Sequence, residues 1–475
     1  MPKAVDAKLL GDAVTYIEQW VAFRQETLRV PGVQVAVAHD GRLLLSRAYG
    51  MANVETATPL SPSHMFRIAS HSKTFTATAI MRLVEAGSLR LDDRAGDLLD
   101  WLPRGPGQLG RTTVRQLLSH SAGVIRDGET GGWWQLERDF PSADQLLREF
   151  STTPPVFAEN LQFKYSNYGF SLLGMIVERV SGRPYNEFVT TEIVQRLGLG
   201  ATGPEIDSRA GAGLATGYSI EYPGLGRLPL AHMDTHGMSA ATGFYSTAED
   251  LCRYAQAHFL GNEELLSDES KREMQREHWR VDGVPMSYGL GFVIASVGER
   301  RTIGHSGGFP GFITNTKLDP VERIVVVALT NAGDGPAADL TSGMFQIINR
   351  ALGARPAEKP TDDLDALVGR YWSIGGAIDI ARFGSELLAI SPMVPNPLDP
   401  VTELEVTEEG ATIVKAPGFA SPGESVRFDR DEDGGVRKMS WAGSAFYPWE
   451  RFGGVLAAVK TTGRSPGAEP ERAPA

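Results

Sequence analysis

Apolar and polar positions along the chain sort into three kinds of stretch. Near the start, Asp6–Gln25 is an amphipathic helical pattern carrying Asp6, Asp12 and Glu18. Val33–Ala38 and Leu43–Ala48 are β-rich runs joined at Asp40-Gly41, a dipeptide suited to a two-residue hairpin turn. The middle of the chain reads mostly as helix. Ser70-His71-Ser72-Lys73 opens a helical pattern that runs to Ala86, with Gly87 as its C-cap. Asn167–Val180 has Gly182 behind it, and Pro184–Arg196 begins with a first-turn proline. Ala248–Phe259 starts at Thr247-x-x-Asp250, close to a capping box. Beyond residue 285 short strands take over: Tyr288–Ala295, Arg301–Gly304, Ile313–Leu318 and Ile324–Leu329, broken by glycines and the Asp319-Pro320 turn. A closing helix, Ala337–Ala351, follows.

This order predicts the α+β class: one antiparallel sheet whose strands come from both ends of residues 1–352, flanked by helices, with an all-helical subdomain inserted between them. Gly353–Thr361 is a Pro- and charge-bearing linker. Residues 362–455, with alternating runs such as Leu387–Ile390, read as a separate small all-β barrel or sandwich. Residues 456–475, ending Pro/Glu/Arg-rich, read as a disordered tail.

Composition narrows the function. Acidic residues outnumber basic ones 58 to 46, a formal charge of −12, which argues against nucleic acid and against an anionic membrane surface as partners. The single cysteine, Cys252, excludes an intramolecular disulfide and any zinc site needing two cysteines; it falls on the Ala248–Phe259 helix and reads as a core residue. No window approaches the roughly 18 apolar residues of a membrane span. A basic start followed by an apolar run, as in a secretory signal, is also lacking, so the expected location is the cytoplasm.

Four constellations carry candidate chemistry. Gly304-His305-Ser306-Gly307-Gly308 fits the nucleophile elbow of α/β-hydrolases, but that fold places its histidine base after the serine. No histidine follows His305, and Phe309-Pro310-Gly311-Phe312 is a poor helix start. His232-x-Asp234-x-His236 would present three ligands on one face of an extended segment, yet lacks a further ligand at convincing spacing; no metal or cofactor is expected. Ser70-x-x-Lys73 puts hydroxyl and amine on one helix face within hydrogen-bond reach, where a buried lysine of lowered pKa would serve as base; a plain helix cap reads the same way. Tyr165, before Asn167, is either a phenol that carries protons once a lysine's charge lowers its pKa, or a buried tyrosine ahead of an Asn N-cap.

Taken in order, these pieces closely resemble the penicillin-recognising serine hydrolases, which include class C β-lactamases, DD-peptidases, D-aminopeptidases and β-lactamase-like esterases. The motifs are Ser70-x-x-Lys73 after Phe66–Ala69, Tyr165-x-Asn167, and His305-Ser306-Gly307 on a late strand; Leu117–Gly123 and Tyr288–Phe292 also look like segments of that family. The resemblance covers about residues 10–350, and residues 362–452 more weakly resemble the small, lipocalin-like barrel appended to some members. It implies that Ser70 attacks a carbonyl to form an acyl-enzyme, while Lys73 and Tyr165 share the proton traffic. Asn167 would orient Lys73 and the substrate amide, and the backbone N–H groups of Ser70 and Gly308 would form the oxyanion hole. Ser306 and Gly307 then belong to a substrate-binding strand edge, with Ser306 not the nucleophile.

The chain departs from penicillin-recognising members at His305, where those carry a lysine that helps anchor the substrate carboxylate. A neutral imidazole anchors a carboxylate poorly at pH 7. Ester, amide and D-peptide hydrolysis therefore gain over β-lactamase or DD-carboxypeptidase action; an acylated sensor without turnover is the further alternative. Trp133 and Trp134, in an aromatic loop over Asp127–Phe140, either line the acyl pocket or pack between helices. Asp127 and Glu129 are candidates to receive a substrate ammonium.

Overall fold

In a computed structural model, described for residues 4–128, 131–357, 362–399, 401–407, 410–416 and 422–462, the strands from both ends of the first segment meet in one antiparallel sheet. Its strands are β1 (Gly32–His39), β2 (Arg42–Asn53), β3 (Thr58–Pro59), β4 (Trp279–Arg280), β5 (Ser287–Tyr288), β6 (Val293–Val297), β7 (Arg300–Phe309), β8 (Phe312–Asp319) and β9 (Ile324–Thr330). They lie in the order β3-β2-β1-β9-β8-β7-β6-β5-β4. The β1–β2 turn has Asp40 at φ +45° and Gly41 at φ +84°, the two positive angles of the turn whose twist matches a hairpin. β1 and β9 pair from Val33↔Thr330 to His39↔Ile324, and every residue of β9 is buried. Uninterrupted burial explains why β9 reads Ile-Val-Val-Val-Ala-Leu without polar alternation.

The helices that matter below are α1 (Ala7–Thr27), α2 (Ser72–Glu85), α3 (Asn167–Ser181), α4 (Ala248–Gln256), α5 (Ala337–Leu352) and α6 (Trp449–Thr462). α4 starts where expected, with Thr247 Oγ1 accepting from Asp250 N at 3.2 Å, and its apolar face packs on β1 and β9. α3 stops at Gly182, which is left-handed at φ +70°. No helix among the described residues is long and apolar enough to cross a membrane.

Three elements differ from the sequence reading. Pro184–Arg196 is not one α-helix: Tyr185–Val189 is α-helical and Thr190–Gln195 a π-helical turn. The run Tyr288–Ala295 breaks into β5 and β6 because its glycines approach other backbone. A Cβ on Gly289 would lie 2.1 Å from the Met274 carbonyl oxygen, and one on Gly291, at φ +76°, 2.4 Å from Ala77 Cβ. β7 extends through Phe309, so Gly304–Gly308 is strand throughout and no strand-to-helix elbow exists there.

The chain divides into two compact units at boundaries other than residues 352 and 362: residues 28–341 form one, and residues 5–27 with those from 342 onward the other. Side-chain pairing accounts for α1 joining the second unit. Asp12 pairs with Arg382 at 3.0 Å, Tyr16 OH donates to Asp379 at 3.1 Å, and Phe23 meets Trp372 edge-on at 5.7 Å. Trp20 also lies so close to Gly343 that a Cβ there would come within 2.2 Å of its ring. Eight strands between Gly369 and Pro448 close into a barrel around Tyr371, Ile380, Leu387, Ile413 and Met439. The unit is not all-β: α6 runs to Thr462, so residues 456–462 are helix rather than disordered tail. Phe452 and Val455 bury its apolar side. Residues 463–475, the rest of the expected tail, and 358–361 of the expected linker lie outside the described residues.

Candidate active site

Ser70 does not sit inside α2. Ala69–His71 is a 3-10 turn and the α-helix starts at Ser72. Ala69, buried, is left-handed at φ +46°, a conformation that costs a non-glycine residue about 1–2 kcal/mol. Ser72 holds the turn in place: its Oγ donates to the Ala69 carbonyl at 2.6 Å and accepts from Phe244 N at 3.0 Å. Strand β7 passes directly against this turn, since a Cβ on Gly307 would lie 2.1 Å from the Ile68 carbonyl oxygen. Only glycine fits there.

β7 presents an open edge at this point. β6 pairs with it only between Arg300 and Gly304. A two-residue turn closes β7 onto β8 at Phe309↔Phe312, so antiparallel alternation directs the Gly308 N–H away from β8, toward the open side. Ser306 and Gly308 are exposed, whereas His305 and Gly307 are buried. A Cβ on Gly308 would meet only Ile313 Cδ1, at 3.6 Å.

Two side chains converge on the serine. Lys73 Nζ is 3.0 Å from Ser70 Oγ, and Tyr165 OH donates to the same oxygen at 2.7 Å. Lys73 is fully buried and also donates to Asn167 Oδ1 at 2.7 Å and the Ala241 carbonyl at 2.9 Å. None of these partners is a carboxylate. Burial therefore holds the Lys73 pKa well below its usual value; the Asp127 charge opposes the shift and that of Arg126 adds to it.

Tyr165 behaves opposite to expectation. Burial raises its pKa, outweighing the lowering from its hydrogen bond to Ser70 and from the Arg126 charge, so it remains a protonated phenol and is no ready phenolate. Lys73 is the group poised to lose a proton.

Asn167 is available to Lys73 because Ser166 does the capping: Ser166 Oγ accepts from Gly169 N at 2.8 Å and Asn167 is the first helical residue. Its Nδ2 donates to Asp127 Oδ1 at 2.6 Å. A carboxylate accepts only, so Asp127 fixes the amide with its oxygen toward Lys73. Arg126 Nε lies 3.2 Å from the other Asp127 oxygen. Both oxygens of Asp127 thus already have a partner within the protein. Glu129 lies outside the described residues. The orienting role of Asp127 was not legible in the sequence, where nothing links it to Asn167 forty residues on.

His305 is buried between neighbours. Its Nε2 is 2.9 Å from Tyr288 OH, its Nδ1 is 2.6 Å from the Ser306 carbonyl, and its ring centroid is 6.5 Å from that of Tyr165. Burial first, then Lys73 and His71, lower its pKa to about 3, so the imidazole is neutral. His120 completes the wall, with ring centroids 4.4 Å from Tyr165 and 4.7 Å from Tyr288. Its Nδ1 accepts from Ser166 N at 3.1 Å, which assigns the proton to Nε2. The segments Leu117–Gly123 and Tyr288–Phe292 stand out in the sequence, but not which of their side chains face Tyr165.

The two tryptophans separate. Trp133 is buried against Phe140 and Tyr168. Trp134 is partly buried and meets Phe140 and Phe309, the residue after Gly308. His232 stacks on Phe312 while Asp234 accepts from His236 N at 2.7 Å. Among the described residues no group of three or more His, Cys, Asp or Glu is arranged to hold a metal ion. Cys252 is buried in α4, where burial raises its thiol pKa.

A lysine without a counter-ion and a neutral phenol on one serine, set between the edge of an antiparallel sheet and a helical layer, define a serine hydrolase. The family model described as Beta-lactamase matches residues 17–346, and the chain belongs to that family. It is 30% identical to "Penicillin-binding protein 4*" of Bacillus subtilis over 365 residues, covering 71% of this chain and 77% of that protein. To a D-aminopeptidase of Brucella anthropi it is 28% identical over 368 residues, covering 75% of this chain and 66% of the relative. Among solved structures, an octameric penicillin-binding protein homologue from Pyrococcus abyssi superposes with a TM-score of 0.65 at 22% identity, covering 91% of this chain and 99% of that one. That last likeness is one of fold.

Proposed function

We propose that the chain hydrolyses small esters or amides, D-amino-acid amides or peptides among them, through an acyl-enzyme on Ser70. The observation that carries this reading is the convergence of Lys73, fully buried, and Tyr165, partly buried, on Ser70 Oγ, at 3.0 and 2.7 Å. Neutral Lys73 takes the Ser70 proton as Oγ attacks the carbonyl carbon, and the N–H groups of Ser70 and Gly308 receive the oxyanion. The proton then passes from Lys73 through Tyr165 to the leaving group as its bond to the carbonyl breaks. Water then attacks the acyl carbon, giving its proton to the same pair, and that proton returns to Ser70 Oγ as the acyl–oxygen bond breaks and a carboxylic acid leaves. Asn167, fixed by Asp127, keeps Lys73 aimed at Ser70 and offers its amide to the substrate; Ser306 and Gly307 form the strand edge along which the substrate lies.

Neutral His305, already hydrogen-bonded to Tyr288, brings no positive charge to a substrate carboxylate. That favours esters, amides and D-peptides over β-lactams and DD-peptides, and the similarity to a D-aminopeptidase supports the same preference. A cytoplasmic location belongs to this proposal and is read by fractionating the producing cell.

The test is turnover of p-nitrophenyl acetate, D-alanyl-p-nitroanilide and nitrocefin by the wild-type protein and by Ser70→Ala. Sustained turnover of the first two, lost in the variant, is the expected result. A single stoichiometric burst with no turnover would make the protein an acylated sensor, and activity surviving Ser70→Ala would sink the mechanism.

A further inference from the structure

The barrel unit carries an aromatic cleft that the proposed hydrolysis does not use. It has a volume of about 610 Å³, and its lining includes Phe23, Glu26, Arg370, Trp372, Trp449 and Glu450. The rings of Trp372 and Trp449 lie 4.8 Å apart at 56°, which makes two inclined walls instead of one flat face. Phe23 meets Trp372 edge-on at 5.7 Å, and buried Phe452 backs Trp372 at 6.2 Å. Trp449 is 56% exposed although buried partners stand beside it.

The charges around the cleft have one net sign. Arg370, its basic lining residue, is spent inward: it grips Asp379 through two bonds of 2.6 and 2.7 Å and stacks over Phe23 at 3.9 Å. Glu26 and Glu450 line the cleft, and among the described residues neither forms an ion pair. Aromatic faces are electron-rich and attract cations, and carboxylates attract cations and repel anions. We propose that this cleft binds a small organic cation, a quaternary or substituted ammonium, between Trp372 and Trp449 with Glu26 and Glu450 supplying the counter-charge. The cleft recognises both the apolar surface of such a group and its charge, as cages for quaternary ammonium ions do elsewhere.

The experiment uses the full-length protein with choline as the cationic probe and 3,3-dimethyl-1-butanol, its uncharged carbon isostere, as control. Binding is followed by tryptophan fluorescence and by broadening of the probe's methyl signal in NMR. Choline is expected to bind saturably and the isostere about tenfold more weakly or not at all. Trp449→Ala, at an exposed position, should raise the choline Kd about three- to fivefold, and Trp449→Phe less. Glu26→Gln with Glu450→Gln should weaken binding similarly and reduce its dependence on salt, without touching the barrel core. Ser70→Ala should leave the Kd unchanged, which separates this site from the hydrolytic one. The proposal is overturned if choline does not saturate the signal, if the isostere binds equally well, or if Trp449→Ala and the double glutamine variant both retain wild-type affinity.

Discussion

The two units bury ionisable side chains to opposite ends. In the barrel unit, Asp379 is buried but gripped by Arg370 through two hydrogen bonds and met by the Tyr16 hydroxyl. Burial pushes the Asp379 pKa up and Arg370 pulls it back. The other unit buries Lys73 with a hydroxyl, an amide oxygen and a carbonyl as partners; the Asp127 carboxylate is bonded to Asn167 instead and acts on Lys73 only through space. One arrangement preserves a charge as part of a fold; the other removes a charge and leaves a base. The presence or absence of an opposite charge in direct contact makes the difference, because desolvation penalises both groups alike.

The comparison breaks hardest at the serine. Ser70→Ala should lower kcat/KM by at least about a thousandfold with the fold intact, as read by ester turnover and circular dichroism. Lys73→Met should do nearly as much, whereas a purely structural lysine would show its loss in stability and leave turnover of the surviving fold untouched. On the barrel side, Arg370→Leu strands Asp379 without its partner and should cost about 3–5 kcal/mol, seen as a lower urea midpoint. Replacing Arg370 and Asp379 together by apolar residues should recover much of that loss. If the single variant is silent, the pair is not what compensates Asp379.

Smaller changes sharpen the reading of the site. Gly308→Ala has room within the protein and keeps its backbone N–H, so its expected loss of kcat/KM, about tenfold, reports on the space the substrate needs beside the strand edge. An unchanged rate would show that the substrate does not pack against the Gly308 Cα. The smallest effect is a displacement of the pH profile. The proposed mechanism requires neutral Lys73, so kcat/KM should rise as pH climbs through the lysine's depressed pKa. The Asp127 carboxylate favours the ammonium form, so Asp127→Asn should move that rise to lower pH; Arg126→Gln removes an opposing cation and should move it to higher pH. Titration of His305 should leave no mark above about pH 4, since its pKa lies at about 3.

Much of this was legible along the chain wherever the signal is local. Asp40-Gly41 demands positive φ at two successive residues, and the hairpin followed. Gly182 ends α3 for the same steric reason. Ser70 and Lys73 lie within reach because they are three positions apart, about one turn. Tyr288–Ala295 misled because an apolar run carries no sign that Gly289 and Gly291 must admit the Met274 carbonyl and the Ala77 side chain. Trp133 and Trp134 look equivalent as neighbours, yet successive positions on a turn face different directions, and only packing against Tyr168 or Phe309 tells them apart.

The sequence by itself therefore determined the local geometry of this protein: its turns, its caps, the sheet assembled from both ends of one segment, and the approach of Ser70 to Lys73. Tertiary structure decided their chemical state. Burial by α3 and the Ala241 turn lowers the Lys73 pKa, burial raises that of Tyr165, and Asn167 turns its oxygen toward Lys73 because Asp127 takes its N–H. α1 joined the barrel instead of the unit that follows it through Asp12, Tyr16 and Phe23, whose partners come more than three hundred residues later. Propensity and spacing act between neighbours in the chain, whereas desolvation and charge depend on which distant segments close around a group.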